Sequence, residues 1–433
     1  MGKRCVAVAY SGGRDSTALL HATAVQMSGS GVHVVALHVH HGLSQHADAW
    51  LRHAAAQCQS WSDAGLPVRF AAHRLTTEPS AGDSVEAWAR QARYKALQSM
   101  AKEEGADIVL LAHHRRDQAE TLLLQALRGA GTAGLSGMPE KALREGITWA
   151  RPWLRLPTSA IEHYAEVHGL THIEDDSNAD TRFARNRVRL DIWPALVQAF
   201  PQAEAAFAAS ATWAQEATSC LRELANIDLA AIANAHKFNV AAWSTLSAAR
   251  RSNALRAWLT AQTGSAPAAA LVNRLMDEIP RAELGCWALA RGSLKRYRGL
   301  LFYQVPVACA VAQPIREALL RVTRAGTYKL PGWQGNFVAT RVKQDGVALA
   351  WLRHVELRPR QGAEQFQSGF LRPARSLKKQ FQAAGVAAWH RDGPLLFSGG
   401  QLVFVPGLGL DARVIALPGQ PQVMLRWEPT QAA

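Results

Sequence analysis

Cysteine is scarce in this chain. Five are scattered through 433 residues, Cys5, Cys58, Cys220, Cys286 and Cys309, with no Cys-x-x-Cys pair. That spacing suits free thiols in a reducing compartment and offers neither a disulfide framework nor a cysteine metal cage. No stretch approaches the roughly twenty apolar residues that a membrane-spanning helix needs. The N-terminus has no basic patch leading into a long apolar run, so a cytoplasmic protein with no membrane partner is expected. There is no Gly-x-x-x-x-Gly-Lys-Ser and no His-Glu-x-x-His, which sets aside a Walker-type phosphate loop and a zinc-protease helix. Internal repeats and low-complexity tracts are absent as well.

Acidic residues are also in deficit. Asp and Glu number 34 against 48 Lys and Arg, a formal net charge of +14, which favours a polyanionic partner. The excess is clustered: Arg182, Arg185, Arg187 and Arg189 lie in one stretch, and Arg358, Arg360, Arg372, Arg375, Lys378 and Lys379 in another. Two separated basic patches suit a long polyanion better than a nucleotide.

Residues 10–16 read Tyr10-Ser11-Gly12-Gly13-Arg14-Asp15-Ser16, between the apolar run Val6-Ala7-Val8-Ala9 and the helix-compatible run Thr17-Ala18-Leu19-Leu20-His21. A strand that empties through two glycines into a helix predicts a phosphate cradle. Gly12 and Gly13 permit φ > 0 and close approach of an anion, while the first free amides of the helix point to the same spot. Ser11, Ser16 and Thr17 add hydroxyl groups. A carboxylate at Asp15 repels phosphate oxygens unless a divalent cation lies between them, so magnesium is implied.

With 48% hydrophobic residues the chain can bury large cores and is expected to form two or three domains. Val32–Leu37, Val68–Ala72 and Ile108–Ala112 read as further buried strands alternating with helical patterns, which predicts an α/β, doubly wound, mainly parallel sheet over residues 1–202. The helix near residues 84–104 has Asp83 and Glu86 as capping residues and Gly105 after its end. Loops starting at Tyr10, His38 and His113 should converge beyond the carboxyl ends of the strands. An Ala- and Leu-rich stretch predicts a mainly helical domain over residues 203–330. Short alternating runs predict a mixed α+β module over residues 331–433.

Further motifs accompany the phosphate loop: His38-Val39-His40-His41-Gly42-Leu43, Ala89-Arg90-Gln91-Ala92-Arg93-Tyr94, His113-His114-Arg115-Arg116-Asp117-Gln118-Ala119-Glu120-Thr121, Arg128-Gly129-Ala130-Gly131, and Asn178 followed by Arg185-Asn186-Arg187-Val188-Arg189. In this order the chain resembles the bacterial tRNA(Ile)-lysidine synthetases, of the N-type ATP pyrophosphatase (PP-loop) superfamily. Ser376-Leu377-Lys378-Lys379 with Phe381, Val386 and Trp389 is similar to that family's C-terminal tRNA-binding module. The resemblance implies ATP-dependent attachment of free L-lysine to the wobble cytidine of tRNA(Ile) with a CAU anticodon, through an adenylated cytidine. It implies an ATP and magnesium site at Ser11, Gly12, Gly13, Arg14, Asp15, Ser16 and His38, and lysine binding and catalysis at Asp117, Glu120 and Arg185. Arg93, Arg182, Arg187, Arg189, Arg358, Arg375, Lys378 and Lys379 are the expected tRNA contacts, and a homodimer is left open. Two positions depart from the family pattern: Arg116 stands where an acidic residue is common, and Gly362-Ala363-Glu364-Gln365 replaces a Gly-Gly-Glu-Arg run. The alternative, a tRNA cytidine thiolase of the same superfamily, generally needs paired cysteines, which this chain lacks.

Overall fold

The computed structural model describes residues 4–42, 46–75, 85–174, 179–234, 237–305, 318–388 and 391–429. Leu43, Asp83, Asn178 and Trp389 lie outside the described residues. Two compact units, Met1–Glu223 and Leu224–Ala433, divide within a long helix. No described helix is long and apolar enough to cross a membrane.

In the first unit strands and helices alternate: β1 (Cys5–Ala9), α1 (Arg14–Met27), β2 (His33–His40), α2 (Ala47–Asp63), β3 (Val68–Arg74), α3 (Val85–Glu103), β4 (Ile108–Leu110) and α4 (Arg115–Leu127). A one-turn helix α5 (Thr132–Leu135), a hairpin of β5 (Lys141–Arg144) and β6 (Ile147–Ala150), and α6 (Thr158–Val167) follow. The six-stranded sheet runs β3-β2-β1-β4-β6-β5, parallel except where β5 meets β6. Side-chain alternation explains the layering. Ala7, Val35 and Leu37 pack with Leu97 and Met100 of α3, whereas Val8, Val34 and Ala36 pack with Leu19 and Leu20 of α1 and Ala54 and Cys58 of α2. With both faces covered, the strands are continuous apolar runs. Order reverses at β1, whose neighbours are β2 and β4, so the crevice lies beyond the ends of β1 and β4.

The unit ends with α7 (Ala184–Arg187), a π-helical turn Val188–Ile192, α8 (Trp193–Ala199) and the start of α9 (Ala203–Ile232). Val188 and Trp193 pack on Ala119 of α4, which seats the arginine-rich segment against the crevice.

In the second unit, the expected helical character of the middle stretch is incomplete. Helices Val240–Ser244, Ala248–Thr263 and Ala269–Arg281 share one core with a five-stranded antiparallel sheet made by Ala233–Asn234, Lys237–Asn239, Gly285–Ala288, Ser293–Tyr297 and Leu300–Gln304. The strands are short, and the Ser293–Gln304 hairpin turns at Arg298 and Gly299, with φ of 49° and 75°. That is the two-residue geometry usually announced by Asn-Gly or Asp-Gly. Beyond it, antiparallel sheets of five and four strands bury Phe337, Val355, Leu357, Phe404 and Val423. Helix Leu377–Ala384 buries Leu377 and Phe381 with Phe366, so the final module is mixed as expected.

Candidate active site

The loop after β1 is held by its own hydroxyl groups. Ser16 Oγ donates to the Gly13 carbonyl (2.9 Å) and Thr17 Oγ1 to the Gly12 carbonyl (3.2 Å), and Ser11 N donates to Ser16 Oγ (3.2 Å). Only Gly12 takes a positive φ, 87°; Gly13 is extended at φ −73°, ψ 161°, and caps α1. The two glycines are therefore needed for different reasons. A Cβ at Gly12 would lie 2.5 Å from Ile173 Cδ1, whereas one at Gly13 would make only ordinary contacts, 3.5 Å to Ser11 Oγ and 4.0 Å to the Ile173 carbonyl oxygen. The amides of Arg14, Asp15 and Ser16, in the first turn of α1, have no partner within the helix. Arg14 is engaged by neighbouring carboxylates, its Nη1 donating to Glu162 (2.6 Å) and its Nε to Asp15 (3.0 Å). His38 is buried within β2, its Nδ1 3.0 Å from the Tyr10 carbonyl, so it buttresses the loop from behind.

Histidine connects this loop to α4. His114 caps α4 and is buried, with Nε2 3.4 Å from Asp15 Oδ2 and 3.4 Å from Asp117 Oδ2. Burial disfavours its charge, but the two carboxylates outweigh burial and raise its pKa. The same balance holds Asp15 and Asp117 low: burial opposes ionisation, and His114 with the nearby arginines overcomes it. His113 is pushed down first by burial and then by Arg151, Arg185 and Arg93, against Asp117. It stays neutral.

Asp117 and Glu120 share one face of α4, and both are occupied. Asp117 Oδ2 accepts from the His114 amide (3.1 Å) and Oδ1 from Arg189 Nη2 (2.8 Å). Glu120 is fully buried, with Arg189 on it through both oxygens (2.8 and 2.9 Å). Arg185 Nε stands 3.3 Å from Glu120 Oε2 and Arg116 Nε 3.4 Å from Oε1. Arg185 is further held by Thr121 Oγ1 (2.8 Å).

Arg189, one of the expected tRNA contacts, is paired with Asp117 and Glu120, in a segment whose Val188 and Trp193 pack on Ala119 of α4. Arg187 is exposed, and Arg182 is exposed while paired with Asp180. Arg93 is half-buried beside the Tyr94 ring, 5.9 Å from its centroid. In the second unit Arg375, Lys378 and Lys379 are exposed, whereas Arg358 is half-buried, paired with Glu356 and 4.8 Å over the Phe397 ring. Sequence reasoning missed the bridging position of His114 and the inward turn of Arg189. A signal for the second existed in the i, i+4 spacing of Arg185 and Arg189, matching a helix face.

Substitutions at the loop and at the arginines should separate these roles. Gly12→Ala should lower stability by on the order of 2–4 kcal/mol, combining left-handed strain with the Ile173 clash. Gly13→Val should cost about 1 kcal/mol or less yet abolish nucleotide consumption, read by urea unfolding and by phosphate release. Arg189→Gln should cost on the order of 2–3 kcal/mol, less than the ~3–5 of a pair stripped of all partners because Arg185 and Arg116 remain. Arg182→Gln should leave the same unfolding midpoint unchanged. Equal midpoints for the two arginine variants would contradict the inward role of Arg189.

Family models match the chain in three places: a PP-loop domain at residues 1–196, a TilS substrate binding domain at 238–302, and a TilS substrate C-terminal domain at 355–427. A tRNA(Ile)-lysidine synthase of Ralstonia nicotianae is 39% identical, covering 96% of this chain and 91% of that protein. One from Burkholderia mallei is also 39% identical, over 94% of this chain and 89% of its own length. One from Nitrosomonas europaea is 35% identical, over 98% and 92%. Carrying the phosphate loop, the carboxylate pair and the basic C-terminal module in one order along nearly its whole length, the chain belongs to the tRNA(Ile)-lysidine synthase family.

Proposed function

We infer that this chain uses ATP to join free L-lysine to the wobble cytidine of a tRNA(Ile) with a CAU anticodon, releasing AMP and pyrophosphate and leaving lysidine. The observation that carries the reading is a continuous polar path from the phosphate loop to the carboxylate pair, Asp15 to His114 to Asp117 to Arg189 to Glu120, in a member of this family. Such a path supports a reading in which a nucleotide site adjoins an ammonium-binding site. A thiolase draws no support: Cys5 and Cys58 are buried in separate cores, on opposite faces of the sheet.

In the first step the cytidine carbonyl oxygen attacks the α-phosphorus, an O–P bond forms, and pyrophosphate leaves with the electrons of the broken P–O bond. The absence of a side chain at Gly13 and the first-turn amides of α1 suit the pyrophosphate portion. Among the described residues no group of three or more His, Cys, Asp or Glu side chains could hold a metal. Magnesium commonly takes one or two carboxylates and fills its remaining positions with phosphate oxygens and water. A one-third-exposed Asp15 at the loop mouth fits that role. The ion would supply charge neutralisation on the phosphates.

In the second step the lysine ε-amine attacks C2 of the cytidine, AMP leaves with the former carbonyl oxygen, and the amine sheds its proton. Asp117 and Glu120 suit the α-ammonium, which competes with Arg189 for the same oxygens. The ε-amine, with an ordinary pKa of about 10.4, must react as the neutral base. Burial and nearby positive charge both favour the neutral form of an amine. Arg185 suits the charge developing on cytidine and α-phosphate. Exposed Arg182, Arg187, Arg375, Lys378 and Lys379 suit tRNA phosphates, and the reaction belongs in the cytoplasm, where lysine, ATP and tRNA meet.

Asp117→Asn and Glu120→Gln should retain tRNA-dependent pyrophosphate release and lose lysine transfer, while Arg185→Ala loses both, measured with radiolabelled lysine and ATP. A lysine KM that rises no more than the ATP KM in Asp117→Asn would return the pair to a purely structural role. Replacing Lys378 or Lys379 by Ala should shallow the log–log salt dependence of tRNA binding by about 0.7–0.9 for each phosphate no longer neutralised. An unchanged slope removes that residue from the interface.

A further inference from the structure

We propose that Arg116 receives the α-carboxylate of lysine, in a cavity of about 400 Å³ between the start of α4 and the segment from α8 to α9. The inference rests on the lysine-ligating reading above and names the group that recognises the amino acid's anionic end. The cavity is lined by Arg115 and Arg116 of α4, by Trp193, Pro194 and Val197 of α8, and by Glu204 of α9 among others. It falls in the size range of small-molecule sites, and its wall is polar as well as apolar, with Arg115, Arg116 and Glu204 beside Trp193, Pro194 and Val197.

The charges in this cavity are unequal. Arg115 is spent on Glu204, with Nε to Oε1 at 2.7 Å. Arg116 is not comparably engaged: its Nε is buried, has no hydrogen-bond partner, and stands 3.4 Å from Glu120 Oε1, where Arg189 already donates at 2.8 Å. Around Asp117 and Glu120 two carboxylates thus meet three guanidinium groups, those of Arg116, Arg185 and Arg189. Of these, Arg189 is bidentate on Glu120, and Arg185, whose Nε is likewise buried without a partner, is still anchored through Nη2 to Thr121. The surplus positive charge is the one that borders the cavity. Its guanidinium carbon lies 5.2 Å over the Trp193 ring, a cation–π contact that fixes its direction.

An α-amino acid presents an ammonium and a carboxylate on one carbon, so its two charges must meet an anion and a cation that are neighbours. Glu120 and Arg116, one helical turn apart on α4, are such a pair. Glu120 lies behind the cavity wall with both oxygens held by Arg189. With the carboxylate on Arg116, the ammonium would reach Glu120 from beside that residue by displacing the Arg189 guanidinium, and the lysine side chain would then extend toward Asp117, His114 and Asp15. A guanidinium is suited to this role because it holds a carboxylate through two parallel N–H groups.

The test compares lysine with lysinamide, whose carboxylate is replaced by a neutral amide, using the full chain, ATP and an unmodified tRNA(Ile) transcript. The wild-type chain should prefer lysine by about 30-fold or more in kcat/KM, the size expected for losing one partner of a desolvated charge pair. Arg116→Gln should bring that preference close to one, mainly by raising the lysine KM, and Arg116→Lys should restore part of it. A preference that survives in Arg116→Gln overturns the assignment, as does a variant whose tRNA KM rises while the lysine-to-lysinamide ratio stands. If Arg116→Gln fails to fold, the ratio in Arg116→Lys decides: a value below that of the wild-type chain supports the proposal and an unchanged value overturns it. A wild-type chain that transfers no lysine overturns the ligase reading itself, which is a separate failure.

Discussion

A carboxylate with no access to water is the constraint on which the site depends. Glu120 is fully buried, and its desolvation must be offset by hydrogen-bonded opposite charge or the helix that carries it is destabilised. Arg189 meets that need through both oxygens, with Arg185 and Arg116 adding charge. Because Arg185 and Arg189 belong to the segment after Phe183, the pairing fastens that segment onto α4. Asp117 extends the fastening in the other direction, capping α4 through the His114 amide and, with Asp15, flanking the His114 ring. One buried charge thereby registers the arginine segment, α4 and the phosphate loop against one another.

Burial also sorts the histidines by what stands beside them. His41 is lowered to about 4, chiefly by burial and then by Arg93, His38 and His40, and His113 is lowered for similar reasons. His114, one residue away, is raised because two carboxylates flank it. The two adjacent histidines are therefore shifted in opposite directions by their neighbours.

Legibility in the sequence followed the physics of each element. The parallel strands were readable because a sheet covered on both faces is apolar at successive positions, as in Val34-Val35-Ala36-Leu37. The β5–β6 hairpin was not. Its turn uses Glu145 and Gly146 at φ of 48° and 85°, and a glutamate in a left-handed position carries no Asn-Gly or Asp-Gly signature. The hairpin at Arg298 and Gly299 escaped for the same reason, which left residues 203–330 looking helical. At the phosphate loop glycine permits φ > 0 at both positions, but only Gly12 adopts it.

The sequence by itself determined the alternation of strand and helix, the phosphate loop between β1 and α1, and the presence of carboxylates and arginines in recognisable motifs, because these depend on local periodicity, glycine stereochemistry and spacing. It could not decide what each arginine does. Arg182, Arg185, Arg187 and Arg189 are chemically alike and within eight positions of one another, yet Arg185 and Arg189 are drawn onto α4 while Arg182 and Arg187 stay in solvent. That division was made by tertiary structure. Val188 and Trp193 bury their side chains against Ala119, and the face of the segment that follows them must carry whatever charge answers Glu120.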